Sequence, residues 1–224
     1  MKFFRFTHVV FGASLLLSAC ATWGNDAADL NLAVSRDEVQ ALSKLLERGV
    51  DPNLKDPQRG ETPLMEAIRN HAMRSFKILL DSPKIDLEAA ANNGDTALMI
   101  ASYTHNVEAV KALLAHDAEP NRHGWAPLHY AAAVGDVEII GLLLEKSAYI
   151  DAESPNKTTP LMMAARGGHN EAVKALIEGG ADVSLKNDQG LSAVDFAREA
   201  GHLDTAGLIK VMKPAAPELP AANR

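Results

Sequence analysis

The chain has 224 residues, with 22 lysines and arginines against 29 aspartates and glutamates, and a formal net charge of −7 at pH 7. A composition of 47% hydrophobic and 23% charged residues supports a buried core and excludes an intrinsically disordered chain. The acidic balance argues against general nucleic-acid binding, which needs clustered lysine and arginine, and the single cysteine excludes an internal disulfide or a CxxC metal site.

The first twenty residues have the pattern of an export signal. Lys2 and Arg5 precede an apolar run over residues 9–17, and this leader contains no acidic residue. A positively charged start followed by a short apolar run is typical of a secretory signal, and the run is shorter than the roughly 20 residues of a transmembrane helix. We therefore predict a signal peptide at residues 1–19.

The only cysteine lies at the end of this run. Residues 17–20 read Leu-Ser-Ala-Cys and resemble the lipobox of bacterial lipoproteins, in which the cysteine is lipidated and cleavage occurs before it. The resemblance implies a lipid on Cys20, followed by a short linker at residues 20–25. A plain signal peptide with a chance cysteine is the alternative. Ala21 replaces the aspartate that usually retains such lipoproteins in the inner membrane, so the resemblance further implies an outer-membrane anchor facing the periplasm.

Behind the linker, a four-residue segment recurs about every 33 residues, and we call it the tetrad. Tetrads begin at Thr62, Thr96, Ala126, Thr159 and Ser192. A glycine lies two residues before four of them, and Lys157 takes that place before the other. A period near 33 with Thr-Pro-Leu-His character resembles the ankyrin repeat, and residues 124–135 are the best single match.

The resemblance implies an all-α repeat fold, an ankyrin-repeat solenoid of helix-turn-helix units with protruding β-hairpin loops. We predict about six units over residues 26–213, with degenerate first and last units as caps, and a disordered Pro/Ala-rich tail at residues 214–224. Threonine suits the N-cap and proline the first helical turn, so each tetrad should begin a helix. The loop after Asp117 is three residues shorter than the period predicts and should leave a notch in the surface.

The sequence offers little for catalysis. It contains no HExxH motif, no GxSxG elbow and no Walker loop, and its paired glycines fall at turns. His129 occupies the fourth tetrad place, where histidine should bond within its own turn. We therefore predict no enzymatic activity, no cofactor and no metal site.

The ankyrin resemblance implies a protein-binding surface made of loop tips and the first helix of each unit. Tyrosine, tryptophan and arginine dominate binding hot spots, and several occupy outward positions in adjacent units. The predicted protein-binding residues are Arg69, Tyr103, His123, Trp125 and Arg166. The alternative for Trp125 is that its ring packs on its own loop.

Three functions follow from these features. The leading one is a monomeric, non-enzymatic protein–protein interaction module, anchored by lipid to the bacterial envelope and facing the periplasm. The second is an immunity or inhibitor protein against a toxin enzyme, for which an acidic surface would suit a basic partner. The third is an accessory protein that supports a periplasmic stress-response enzyme. The sequence does not identify the partner protein.

Overall fold

The structure is a computed structural model that describes the backbone of residues 16–212 and the side chains of residues 26–212. The predicted tail, most of the predicted signal peptide and the side chain of Cys20 lie outside the described residues. The described part contains twelve helices and no strand. They are α1 Leu16–Ser35, α2 Val39–Glu47, α3 Pro63–Arg69, α4 Met73–Leu80, α5 Ala97–Tyr103, α6 Val107–Ala115, α7 Pro127–Val134, α8 Val137–Glu145, α9 Pro160–Gly167, α10 Asn170–Glu178, α11 Ala193–Glu199 and α12 Leu203–Val211.

The helices form six consecutive pairs, one for each predicted unit. The first helix of each unit contacts the first helix of the next, in the order α1, α3, α5, α7, α9 and α11. The second helices form a layer of their own in the same way, in the order α2, α4, α6, α8, α10 and α12. Each unit thus buries its apolar face against its neighbours, as a linear repeat array requires. This arrangement confirms the predicted ankyrin-repeat solenoid.

The tetrads start the first helices, as predicted. Thr62 and Thr159 have extended backbones, and each side-chain hydroxyl accepts a hydrogen bond from the backbone N–H three residues later at 3.4 Å. Proline follows at the first helical position, where its missing N–H costs nothing because that group has no partner inside a helix. Local chemistry and repeat period therefore select the same helix starts.

Small and branched apolar residues fill the space between the two layers. Alanine pairs such as Ala131 and Ala132 are fully buried, which lets neighbouring first helices approach closely. Leu143 in α8 is also fully buried, with α6, α7 and α10 around it. In the last unit Ile209 is buried as well, and within residues 16–212 the main packing partners of α12 are α10 and α11.

The loops between units differ from the predicted β-hairpins. Among the described residues the only β-type pairing is an isolated bridge between Lys186 and Ser192. The loop tips close instead by short-range backbone hydrogen bonds, such as those from the Ala91 N–H to the Asp95 carbonyl at 2.8 Å and from the Gly94 N–H to the Ala91 carbonyl at 2.9 Å. A closure across only a few residues leaves room for one bridging pair and not for a ladder. Lys157 replaces the glycine that the other loop tips have, and its φ of +59° lies in the left-handed region that favours glycine.

The predicted linker at residues 20–25 is helical, because α1 begins at Leu16 and continues through it. The segment contains no proline, which is the residue that most strongly breaks a helix. Within the described residues, no helix combines the length and the hydropathy needed to cross a membrane.

Candidate protein-binding surface

One face of the solenoid is built from three positions in each of the five units that begin with a tetrad. They stand one residue before the tetrad, four residues after its start and seven residues after its start. In the unit of α7 these are Trp125, Tyr130 and Ala133. The last two lie three residues apart on one helix and so share a side of it. We call the surface that these positions form in the successive units the first-helix face.

An aromatic depression lies near the centre of this face. It has a volume of about 200 Å³ and is lined by Tyr103, Trp125, His129, Tyr130, Ala133 and Met163. The Tyr103 and Tyr130 rings meet edge to face with centroids 6.2 Å apart, and the Trp125 and His129 rings do the same at 5.2 Å. Tyr103 is 54% exposed and Trp125 37% exposed, so both remain available to a partner.

A hydrogen bond holds the Tyr130 ring in place. Its hydroxyl donates to the Asp95 carboxylate at 2.5 Å, and the Asn93 amide donates to the other carboxylate oxygen at 2.7 Å. Burial, together with the negative charge of Asp95, raises the pKa of Tyr130 well above its usual value. The phenol is therefore neutral at physiological pH, and its orientation is fixed from the neighbouring unit.

His129 supports the depression from below and joins two units. Its Nδ1 accepts a hydrogen bond from the Ala126 N–H at 3.2 Å, which leaves Nε2 to donate to the Thr158 carbonyl at 2.9 Å. The side chain is buried, and this burial lowers the pKa of His129 below its ordinary value. The ring is thus neutral, bonds within its own turn as predicted, and also holds the next loop.

Arg69 lies beside the aromatic depression and is partly committed to an ion pair. Its guanidinium binds the Glu61 carboxylate at 2.7 Å, and Arg59 approaches the same carboxylate at 3.4 Å. The Glu61 side chain is only 6% exposed, so these cations compensate a buried charge. Arg69 and Tyr103 line one shared depression, which adjoins the aromatic one.

The remaining predicted residues lie farther along the surface. Arg166 is exposed and lines a separate depression with Phe196 and His202 of the last unit. His123 is also exposed, but it lines a groove of about 760 Å³ between the shortened loop and the loop that follows it. The groove includes Tyr149, which is 68% exposed. The structure therefore brings Tyr103 and Trp125 together, and it places Arg166 and His123 in neighbouring depressions.

Sequence reasoning missed Tyr130 and Met163, which occupy the position four residues after the tetrad start. A signal was available for Met163, because it lies three residues before the predicted Arg166 on the same helix, and Tyr130 occupies the equivalent place in its own unit. In the described part of the chain, no three histidine, cysteine, aspartate or glutamate side chains cluster in an arrangement suited to a metal ion. The chemistry that the face offers is therefore aromatic contact, hydrogen bonding and charge.

Comparison with known proteins points to one family. The family model for ankyrin repeats matches the chain in three overlapping copies, at residues 30–123, 75–154 and 128–215. The human transient receptor potential cation channel subfamily A member 1 is 32% identical over 165 residues, which is 69% of this chain and 15% of that protein. Human SH3 and multiple ankyrin repeat domains protein 2 is 34% identical over 160 residues, or 70% and 9% respectively. The chain therefore spans a small fraction of the length of these relatives.

Solved structures agree with this relationship. One match is a chain from the predatory endopeptidase Bd0816 of Bdellovibrio bacteriovorus in complex with immunity protein Bd3460, with a TM-score of 0.72 and 30% identity over 83% of this chain and 98% of that one. An ankyrin repeat domain from Acinetobacter baumannii AYE matches with a TM-score of 0.70 and 24% identity, covering 81% and 96%. This chain belongs to the ankyrin repeat family, whose repeats are protein–protein interaction modules.

Proposed function

We propose that this protein is a non-enzymatic binding protein of the bacterial envelope, which captures a partner protein on its first-helix face. The observation that carries the proposal is the aromatic depression, where the exposed rings of Tyr103 and Trp125 border one apolar hollow. Tyrosine and tryptophan give large contact areas at a low cost in side-chain entropy, and they are enriched among hot-spot residues. An aromatic pair exposed at the centre of an interaction module suits the anchor of an interface.

This surface is tested with a triple variant that carries Tyr103→Ala, Trp125→Ala and Arg166→Ala. The variant is pulled down from crosslinked cell envelopes, and the partners that come with it are identified. We expect it to lose the partner that the unchanged protein retains, since alanine at a hot spot costs about 2 kcal/mol or more in affinity. The matched control is the variant Lys111→Ala with Glu138→Ala. These two side chains are exposed on the second-helix layer and pair with each other at 2.7 Å. A folded triple variant that keeps every partner would move the interface elsewhere.

Attachment to the membrane is the second part of the proposal. Its support is the order of features in the sequence, where Lys2 and Arg5, an apolar run and Cys20 follow one another as in lipoproteins. An anchored acyl chain gains about 0.8 kcal/mol per buried methylene, so several chains would hold the protein on the membrane. Cys20→Ser should remove the lipid mass and release the protein from the membrane fraction. Wild-type protein that carries no lipid on Cys20 and is found in the soluble fraction would contradict this part.

A narrower role as an immunity protein is the second candidate. It is favoured by the likeness to a chain from a complex of an endopeptidase with its immunity protein, at 30% identity over nearly all of that chain. A net charge of −7 would also favour a basic partner by electrostatic attraction. The test measures the enzymatic activity of the captured partner with and without an equimolar amount of this protein. Loss of the partner's enzymatic activity would favour the immunity role. Unchanged or raised activity of the partner would favour an accessory role for a stress-response enzyme.

A further inference from the structure

The aromatic depression has the dimensions of a site for one side chain. Its volume of about 200 Å³ is below the roughly 300–1,000 Å³ of pockets that take drug-sized ligands. Tyr103, Trp125 and Tyr130 surround it, and Met163 closes it from the next unit. A single extended side chain of a bound protein therefore fits better than a free cofactor or metabolite.

The rings around this depression carry no positive charge. Tyr130 keeps its phenol proton, and His129 is buried with Nδ1 already accepting the Ala126 N–H. The faces of tyrosine and tryptophan rings are electron-rich, and they attract a cation that approaches within about 6 Å of the ring centre. A neutral histidine beside them adds no repulsion.

A carboxylate next to the depression strengthens the same preference. Asp95 binds the Tyr130 hydroxyl and lines the adjoining hollow together with Tyr103 and Tyr130. Both hydrogen-bond donors to Asp95 are neutral, and among the described side chains no lysine, arginine or histidine forms an ion pair with it. Arg69 lines that hollow too, but its guanidinium pairs with Glu61 at 2.7 Å. The charge of Asp95 is therefore available to a partner.

We infer that the aromatic depression is a cation-binding cage, which takes one lysine or arginine side chain of the partner protein between Tyr103, Trp125 and Tyr130, with Asp95 as the counter-charge. The aliphatic stem of such a side chain would pack on Ala133 and Met163, the two apolar residues of the lining that are not aromatic. The inference rests on the proposed binding role of this face, and it adds the chemistry of the group that the face recognises.

Three tripeptides with blocked ends test the inference on the full-length chain: Gly-Lys-Gly, Gly-Arg-Gly and Gly-norleucine-Gly. Norleucine keeps the four-carbon stem of lysine without its charge, so the comparison isolates the cation. Binding is followed by NMR, through the Met163 methyl and the Trp125 indole N–H. We expect millimolar dissociation constants for both charged peptides and at least about threefold weaker binding of the norleucine peptide.

Two variants separate the ring and charge contributions, and a third serves as the control. Trp125→Leu removes a π face but stays apolar, and Asp95→Asn removes the charge but keeps an acceptor for Tyr130. Each should weaken the lysine peptide at least about threefold, whereas Lys111→Ala, an exposed position on the second-helix layer outside the depression, should leave the affinity within experimental error. Asp95→Asn should not change binding of the norleucine peptide. A thermal melt of each variant confirms that it is folded.

Two outcomes would overturn the inference. One is binding of the norleucine peptide as tightly as the lysine peptide, which would make the depression an apolar anchor. The other is the absence of any shift of the two resonances with charged peptide at about 20 mM, far above a millimolar dissociation constant. Either result leaves the proposed function intact if the triple alanine variant still loses its partner. Retention of the partner by that variant refutes the proposed function separately.

Discussion

His129 allows the contribution of a single bond between units to be measured. Substituting His129→Met keeps a sulfur acceptor for the tetrad N–H, because methionine already has this role in other units, where the Thr159 N–H meets the Met162 sulfur at 3.4 Å. The substitution removes the bond from Nε2 to the Thr158 carbonyl. It therefore tests the link between units with little change to the turn itself.

The expected loss follows from what remains at Thr158. Its carbonyl also accepts the Ser154 N–H at 3.1 Å, so the substitution does not leave a buried acceptor without a donor. The cost is then one net hydrogen bond, about 1 kcal/mol, and not the larger cost of an orphaned carbonyl. The edge contact of His129 with Trp125 is replaced by a sulfur–aromatic contact of similar strength, roughly 0.3–1.5 kcal/mol.

The difference between the two proteins should depend on pH. Burial lowers the pKa of His129 in the folded state, so between the folded and unfolded values the unfolded chain binds more protons. The stability that His129 contributes is therefore complete above its unfolded pKa of about 6.5 and is lost as pH falls below it. Urea unfolding at pH 7.5 and at lower pH measures this. Equal stability at pH 7.5, or a difference that does not change with pH, would refute the reasoning.

Four other substitutions follow from the same structure. Met162→His should stabilise the protein by roughly 0.5–1 kcal/mol in urea unfolding, because histidine replaces a weak sulfur acceptor; a loss would show that the site cannot orient the ring. Leu143→Ala should cost about 2–5 kcal/mol and Ile209→Ala less, because α8 lies between α6 and α10, whereas α12 has a neighbouring second helix on one side only among the described residues; equal losses would argue against a linear array. Lys157→Gly should raise the melting temperature, since relief of its left-handed backbone, about 1 kcal/mol or more, exceeds the chain entropy that glycine adds. A lower melting temperature would show that the side-chain contacts of Lys157 stabilise the fold by more than its backbone strain destabilises it.

The fold could be predicted from the sequence because the tetrad, which begins a helix, recurs five times. The tetrads at Thr62 and Thr159 begin helices through capping and proline, and the period of about 33 residues sets how units stack. The backbone pairing at the loop tips was harder to predict, since a β-hairpin ladder and a single β-bridge need the same turn residues. The helical backbone of residues 20–25 was missed because the linker was assigned from its position between the lipobox and the repeat.

The candidate site was only partly predictable. Tyr103 and Trp125 could be selected because their repeat positions point outward and their side chains suit interfaces. Tyr130 was missed because an aromatic residue in the middle of an apolar helix suggests core packing. Its link to Asp95 joins residues 35 positions apart, and no local pattern gives that pairing. Arg166 lies on the first-helix face, but its separation from the aromatic depression depends on the shape of the last unit.

The central claim is that the first-helix face holds a partner protein, and site-specific photo-crosslinking in intact cells tests it most directly. A photoreactive phenylalanine analogue is placed at Tyr103 in one strain and, as the control, at Lys111 on the second-helix layer in another. Both side chains are more than half exposed, so the two probes have similar access to solvent. We predict a crosslinked partner from position 103 and none from position 111. Crosslinking of the same partner from position 111 alone, or equally from both, would contradict the account.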